Sequence, residues 1–283
     1  MMRVLVAGAA GMLGADVVAV AGSRGHECFG LARAELDVTD EHAVEATIAR
    51  LAPEAIVNCA AWTDVEGAES LESAALAVNG TGAGNLARAA AAVGAHLVQV
   101  STDYVFDGTA TRPYVESDPT NALSAYGRTK LAGEEEVIAA SREHAVVRTA
   151  WLFGPGGKNF VTTMLRLGAG AGDELAVVTD EVGCPTYTGH LAPRLVEFAE
   201  RRAAGVFHLA GAGHCSRNAF AKAIFEAAGL HLRVTETTQA QLAMAAPRPP
   251  WSVLGSERDV EPLPSWHDGL AAYRAKAPEV FGQ

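Results

Sequence analysis

Along the first half of the chain, short uninterrupted apolar runs alternate with longer stretches of helical spacing. Residues 3–7, 26–31, 55–59, 96–101 and 145–148 read as strands, and 12–24, 41–51, 70–93 and 125–141 as helices. Strands apolar along their whole length are buried on both faces, and helices between them supply the cover. The pattern predicts an α/β fold built on a doubly wound parallel sheet. After residue 148 the rhythm loosens into a glycine-rich stretch at 168–172, then 174–178, a helix at 189–202, an apolar strand at 206–209 and a helix at 218–228. Pro247, Pro249 and Pro250 mark an extended loop. The expected organisation is a doubly wound domain over 1–147, with late elements at about 185–215 returning to it. A smaller, interleaved α/β domain spans 148–184 and 216–283.

Composition narrows the partners. A chain of 283 residues, 49% hydrophobic and 19% charged, has ample apolar surface to fold. Its net charge of −11 repels a phosphate backbone, so no nucleic acid partner is expected. Cys28, Cys59, Cys184 and Cys215 form no CxxC pair, which points to a reducing, cytoplasmic setting and away from a thiolate metal site. The longest uncharged apolar run, 4–15, is too short to cross a membrane, and its glycines break the helix a signal peptide would need.

Gly8, Gly11 and Gly14 form GxxGxxG at the first strand-to-helix junction. There the missing side chains let the backbone turn tightly and bring a helix N-terminus against a pyrophosphate, the Rossmann arrangement. The carboxylate that selects NAD would stand about 20 residues further on. This chain has Gly30, Leu31, Ala32 and Arg33 there, and Arg33 can pair with a 2′-phosphate, which favours NADP over NAD. Asp40 reads as the cap of the helix that follows.

Tyr126 and Lys130 stand four apart on a predicted helix and share a face. Chance would supply only about 0.07 such pairs in a chain of this composition. A nearby ammonium stabilises a phenolate and brings a tyrosine closer to proton exchange at neutral pH. Ser101, Thr102 and Asp103 lie at the end of the fourth strand, where open α/β sheets bind ligands, and a hydroxyl there can donate to the same oxygen as Tyr126.

With these residues in view, the chain resembles the extended short-chain dehydrogenase/reductase superfamily, and within it the dTDP-4-dehydrorhamnose reductase family. The matching segments are GAAGMLG at 8–14, ELDVTD at 35–40, NCAAWTDVEGAE at 58–69, STDYVFDG at 101–108, YGRTK at 126–130, RTAWLFG at 148–154, DEVGCPT at 180–186, FHLAG at 207–211 and RPPWSVL at 248–254. The resemblance implies a catalytic trio of Thr102, Tyr126 and Lys130. It implies that Gly8, Gly11, Met12, Leu13, Asp37, Val38, Ala60 and Ala61 border NADPH, with NADH also accepted and Lys130 on the nicotinamide ribose. Thr63 belongs with the same set and also faces the sugar nucleotide. Asp103, Tyr104, Trp151 and Arg248 would shape the sugar-nucleotide pocket, Arg248 meeting the diphosphate. Two positions depart from the family: Glu181 stands where a glutamine is usual, and Cys59 where alanine is commoner. No metal is assigned, since only Asp16 matches the acidic set with which some relatives hold magnesium.

The implied activity is NADPH-dependent reduction of the C4 ketone of a dTDP-4-keto-6-deoxy-L-hexose, dTDP-4-dehydrorhamnose being the default. The alternatives are an epimerase or dehydratase of the same superfamily and a non-catalytic NADP-binding regulatory subunit similar to methionine adenosyltransferase subunit beta. A dehydratase would carry an acidic pair directly after the threonine, where this chain has Asp103 and Tyr104. The partners expected are the dTDP-sugar and, at most, a second copy of the chain in a homodimer.

Overall fold

The computed structural model describes every residue of the chain except 171, 173 and 283. Strands β1 (Arg3–Ala7), β2 (Glu27–Leu31), β3 (Ala55–Asn58), β4 (His96–Thr102) and β5 (Ala145–Thr149) form a wholly parallel sheet with the strand Gly205–His208. Its order is Gly205–His208, β5, β4, β3, β1, β2. The chain steps outward from β1 to β2, then returns to the other side of β1 as β3. This reversal opens a crevice at the C-terminal ends of β1 and β3.

Helix α1 (Met12–Ser23) and the helix Thr188–Glu200 cover one face, where Val4, Val6, Val57 and Val98 meet Leu13, Val17, Leu191 and Leu195. Helices α2 (Glu41–Leu51), α5 (Gly82–Ala92) and α6 (Ala125–Ala140) cover the other, with Leu5, Ile56 and Leu97 against Val44, Ile48, Leu86 and Val137. Asp40 caps α2 as its position suggests, accepting from the Ala43 N–H at 3.0 Å. A third core gathers Phe153, Val161, Met164, Phe220, Phe225, Trp266 and Tyr273 from the later part of the chain. There the strands Glu174–Val178 and Arg233–Thr237 pair in parallel.

Three stretches differ from the sequence pattern. The helix expected over 70–93 starts earlier and is broken: α3 (Val65–Ser70) and α4 (Glu72–Leu76) meet at Leu71, and Ala77–Thr81 forms a π turn before α5. Asn79 inside that turn bonds Trp62 and Thr129, tertiary partners that periodicity does not reveal. Of the glycine-rich stretch 168–172, residue 171 lies outside the described residues, and the helix Phe160–Gly170 runs through Gly168 and Gly170. Gly168 is required there by packing, because a Cβ would stand 2.7 Å from the Phe225 ring. The helix Trp266–Lys276 lacks a strong apolar stripe and starts instead from a capping box between Ser265 and Asp268. No helix among the described residues is long and apolar enough to cross a membrane.

Candidate active site

The turn between β1 and α1 is built from backbone. Gly8 and Ala9 both donate their N–H groups to the Leu31 carbonyl, at 2.9 and 3.1 Å. Gly8 has φ +75°, and a Cβ on it would stand 2.6 Å from the Ala60 nitrogen, so only glycine lets β1 and the end of β3 approach this closely. A Cβ on Gly14 would collide with the Gly8 carbonyl. Gly11 caps α1 without a side chain and is itself exposed, and no acid stands in the first turn, so no side chain caps the amides at the start of α1. That donor set fits the pyrophosphate of a dinucleotide.

The neighbouring candidates divide. Ala60 and Ala61 are partly exposed beside the glycine turn, and Thr63 is exposed two residues on. Leu13 and Val38 are buried, and the Val38 carbonyl accepts from the Asn85 side chain at 3.0 Å. Asp37 accepts from the N–H and hydroxyl of Thr39, bonds that hold its carboxyl below the usual range. Arg33 extends into solvent, 82% exposed, its Nε 3.7 Å from Asp37.

Thr102 ends β4, and Tyr126 and Lys130 stand one turn apart on α6, which packs against that strand. Ser124 caps α6 by accepting from the Gly127 N–H. A Cβ on Gly127 would strike the Tyr104 carbonyl, so glycine lets the helix start lie directly on the segment after β4. The Thr102 hydroxyl donates to Asp103 Oδ1 at 3.0 Å, accepts from the Tyr104 N–H at 3.2 Å, and lies within hydrogen-bonding reach of Tyr126. Tyr104 meets Tyr126 edge to face at 5.9 Å. Lys130 is buried and donates to the Val100 carbonyl at 2.7 Å. Its ammonium acts on Cys59, which follows β3 directly before Ala60, so glycine turn and lysine belong to one crevice.

The charge states differ from the sequence expectation. Burial pushes the Tyr126 hydroxyl above the ordinary phenol range, and Asp103 and Tyr104 add to the rise against the Thr102 hydrogen bond. Tyr126 therefore carries its proton at neutral pH. Burial lowers Lys130 to about 8, the Glu134 carboxylate opposing that fall.

Beyond Thr102 lies a pocket of alternating charges. Burial raises Asp103 to about 6 despite the Ser252 hydroxyl, which donates to it at 2.5 Å. Trp151 adopts a left-handed backbone at φ +46°, and its ring lies 3.4 Å under the Arg217 guanidinium. Gly183 leaves room for that ring, since a Cβ there would come within 2.5 Å of it. Arg217 pairs with Glu181 at 3.2 Å, and Arg248 lies 3.9 Å from Glu181 and 2.6 Å from Glu66. Arg248 is thus held between two carboxylates rather than standing free for a diphosphate. Arg217, Ser252, Glu66 and Asn79 escaped the sequence reading. Each gains its role from a partner distant in sequence, and only the charge departure at Glu181 hinted at an opposite charge nearby.

Residues 2–277 match the family model described as RmlD substrate binding domain. The chain is 44% identical over 279 residues to the dTDP-4-dehydrorhamnose reductase of Streptomyces griseus, covering 95% of this chain and 91% of that protein. It is 42% identical over 274 residues to the dTDP-4-keto-6-deoxy-D-glucose reductase of Streptomyces niveus, covering 95% of each. Among solved structures, the dTDP-4-dehydrorhamnose reductase of Bacillus anthracis in complex with NADP superposes with a TM-score of 0.94 at 34% identity, covering 97% of this chain and 99% of that one.

Proposed function

The chain belongs to the RmlD substrate binding domain family, and on that premise we propose that it reduces the C4 ketone of dTDP-4-dehydrorhamnose to give dTDP-L-rhamnose. The enzyme is an NADPH-dependent oxidoreductase acting on a dTDP-sugar. The observation that supports the assignment is a protonated Tyr126 acted on by the Thr102 hydroxyl at the end of β4, with the Lys130 ammonium one turn further along α6 on the Val100 carbonyl of the same strand.

The cofactor would lie along the amides of Gly8, Gly11, Met12 and Leu13. Asp37, Val38, Ala60, Ala61 and Thr63 would border it, and Arg33 would meet the 2′-phosphate. Bound there, NADPH supplies the hydride that C4 receives. Thr102 orients the ketone oxygen, and Tyr126 gives that oxygen its proton, completing the alcohol. Lys130 stabilises the phenolate left behind and holds the nicotinamide ribose. Asp103, Tyr104 and Trp151 wall the sugar, with Arg248 on the diphosphate side. A cytoplasmic enzyme accords with the four free cysteines, and a homodimer, to be checked by sedimentation, completes the proposal.

The test is direct. Purified protein mixed with NADPH and dTDP-4-dehydrorhamnose should consume nicotinamide absorbance and yield dTDP-L-rhamnose by NMR. Binding of both ligands without turnover would favour the non-catalytic regulatory subunit.

A further inference from the structure

The Glu66 carboxylate sits in a pocket of N–H donors supplied by the loop after Leu242. Ala245 and Ala246 donate their backbone N–H groups to Oε2 at 2.9 and 3.2 Å, and Arg248 Nη2 lies 2.6 Å from Oε1. Burial raises the Glu66 carboxyl, but the guanidinium and the two amides outweigh it and hold the group below the usual carboxylate range. Two successive amides and a guanidinium converging on a pair of anionic oxygens form a donor set that also recognises phosphate. Arg248 acts electrostatically on Tyr104, whose ring meets Tyr126, so this donor set borders the catalytic end of β4.

The surrounding charges make the arrangement consequential. Arg217 and Arg248 face Glu66, Glu181 and Asp103, so the pocket carries no surplus of positive charge for an acidic ligand. Glu181 is 4% exposed and fastened to Arg217, whereas the Glu66 side chain is 42% exposed on the short helix α3, with its Oε1 buried against Arg248. We infer that the Ala245 and Ala246 amides with Arg248 form an anion subsite for a phosphate of the sugar nucleotide, and that Glu66 is an internal competitor which this phosphate displaces. The inference rests on the reading of the substrate as a dTDP-sugar.

Calorimetric titration of the wild type and Glu66→Gln with dTDP and with uncharged thymidine tests it. Glu66→Gln should bind dTDP about three- to tenfold more tightly, the worth of removing a half-exposed competing ion pair. Thymidine affinity should stay unchanged, and the gain for dTDP should shrink with added salt. Unchanged or weaker dTDP binding by Glu66→Gln would overturn the subsite, as would equal tightening of thymidine, while leaving the reductase reading intact. A wild type that binds neither ligand would overturn the dTDP-sugar reading and the subsite with it.

Discussion

Lys130 and Glu134 stand one turn apart on α6 and fasten two successive residues of β4. The Lys130 ammonium donates to the Val100 carbonyl at 2.7 Å, and the Ser101 hydroxyl donates to Glu134 at 2.5 Å. Glu134 is in turn held by Arg148 of β5, whose Nη2 lies 2.7 Å away, with both side chains buried. The groups acting on Lys130 are the Glu134 carboxylate and the Cys59 thiol, and burial brings it to about 8. Because Lys130 acts as a cation, kcat/KM should fall as pH rises through about 8, with a one-proton limb. Glu134→Gln leaves the Arg148 charge unpaired near Lys130 and should move that limb to lower pH. Adding Arg148→Met should move it back. A limb that does not move in Glu134→Gln would show that the pair only supports the fold.

Tyr126→Phe removes the proton donor and little contact surface. Turnover should drop by about 10² to 10⁴-fold, the range of a positioned acid, with NADPH affinity nearly unchanged. Steady-state rates and a fluorescence titration of NADPH check the two halves. Turnover within tenfold of wild type would remove Tyr126 from the mechanism.

How much of this was legible beforehand follows from how local each signal is. The inner strands β1, β3, β4 and β5 stood out because they are buried nearly throughout, and Gly8 and Gly14 because their backbone positions exclude any side chain. Tyr126 and Lys130 were visible because helical spacing alone puts them on one face. The ionisation of Tyr126 was not, because burial dominates it and burial is a tertiary property. The engagement of Arg248 was equally hidden: Glu66 lies 182 positions away in the chain and meets it only in the folded crevice.

Asp103 should leave a signature in stability. Its folded-state value of about 6 lies above the ordinary carboxylate value, chiefly through burial. A raised carboxyl favours the folded state below the unfolded value, and that contribution is lost as pH rises through the folded one. Between about pH 4 and 6 the wild type should lose roughly 2 to 3 kcal/mol relative to Asp103→Asn, which does not titrate. Urea unfolding of both proteins across this range gives the difference directly. Parallel pH curves would mean that Asp103 titrates alike in the folded and unfolded states.

The π turn at Ala77–Thr81 predicts a second-site effect on the catalytic helix. Asn79 is buried, accepts from the Trp62 N–H at 2.9 Å, and donates to the Trp62 carbonyl and to the Thr129 hydroxyl at 3.2 and 3.1 Å. Thr129 lies between Tyr126 and Lys130 and donates to the Tyr126 carbonyl at 2.9 Å. The turn presses on α6, since a Cβ on Gly133 would collide with the Asn79 carbonyl. Single π turns inside helices often mark functional sites, and this one ties the segment after β3 to the helix that carries the proton donor. Asn79→Ala strands the Trp62 N–H and one partner of Thr129, so it should cost about 2 to 4 kcal/mol in stability. Turnover should fall further than NADPH affinity, because Tyr126 depends on this packing more than the glycine turn does. Thr129→Val separates the two effects: it keeps the Trp62 bonds but cuts the link to α6, and should lower turnover with a smaller loss of stability. Full activity in both variants would leave Asn79 as a stabiliser of the turn alone.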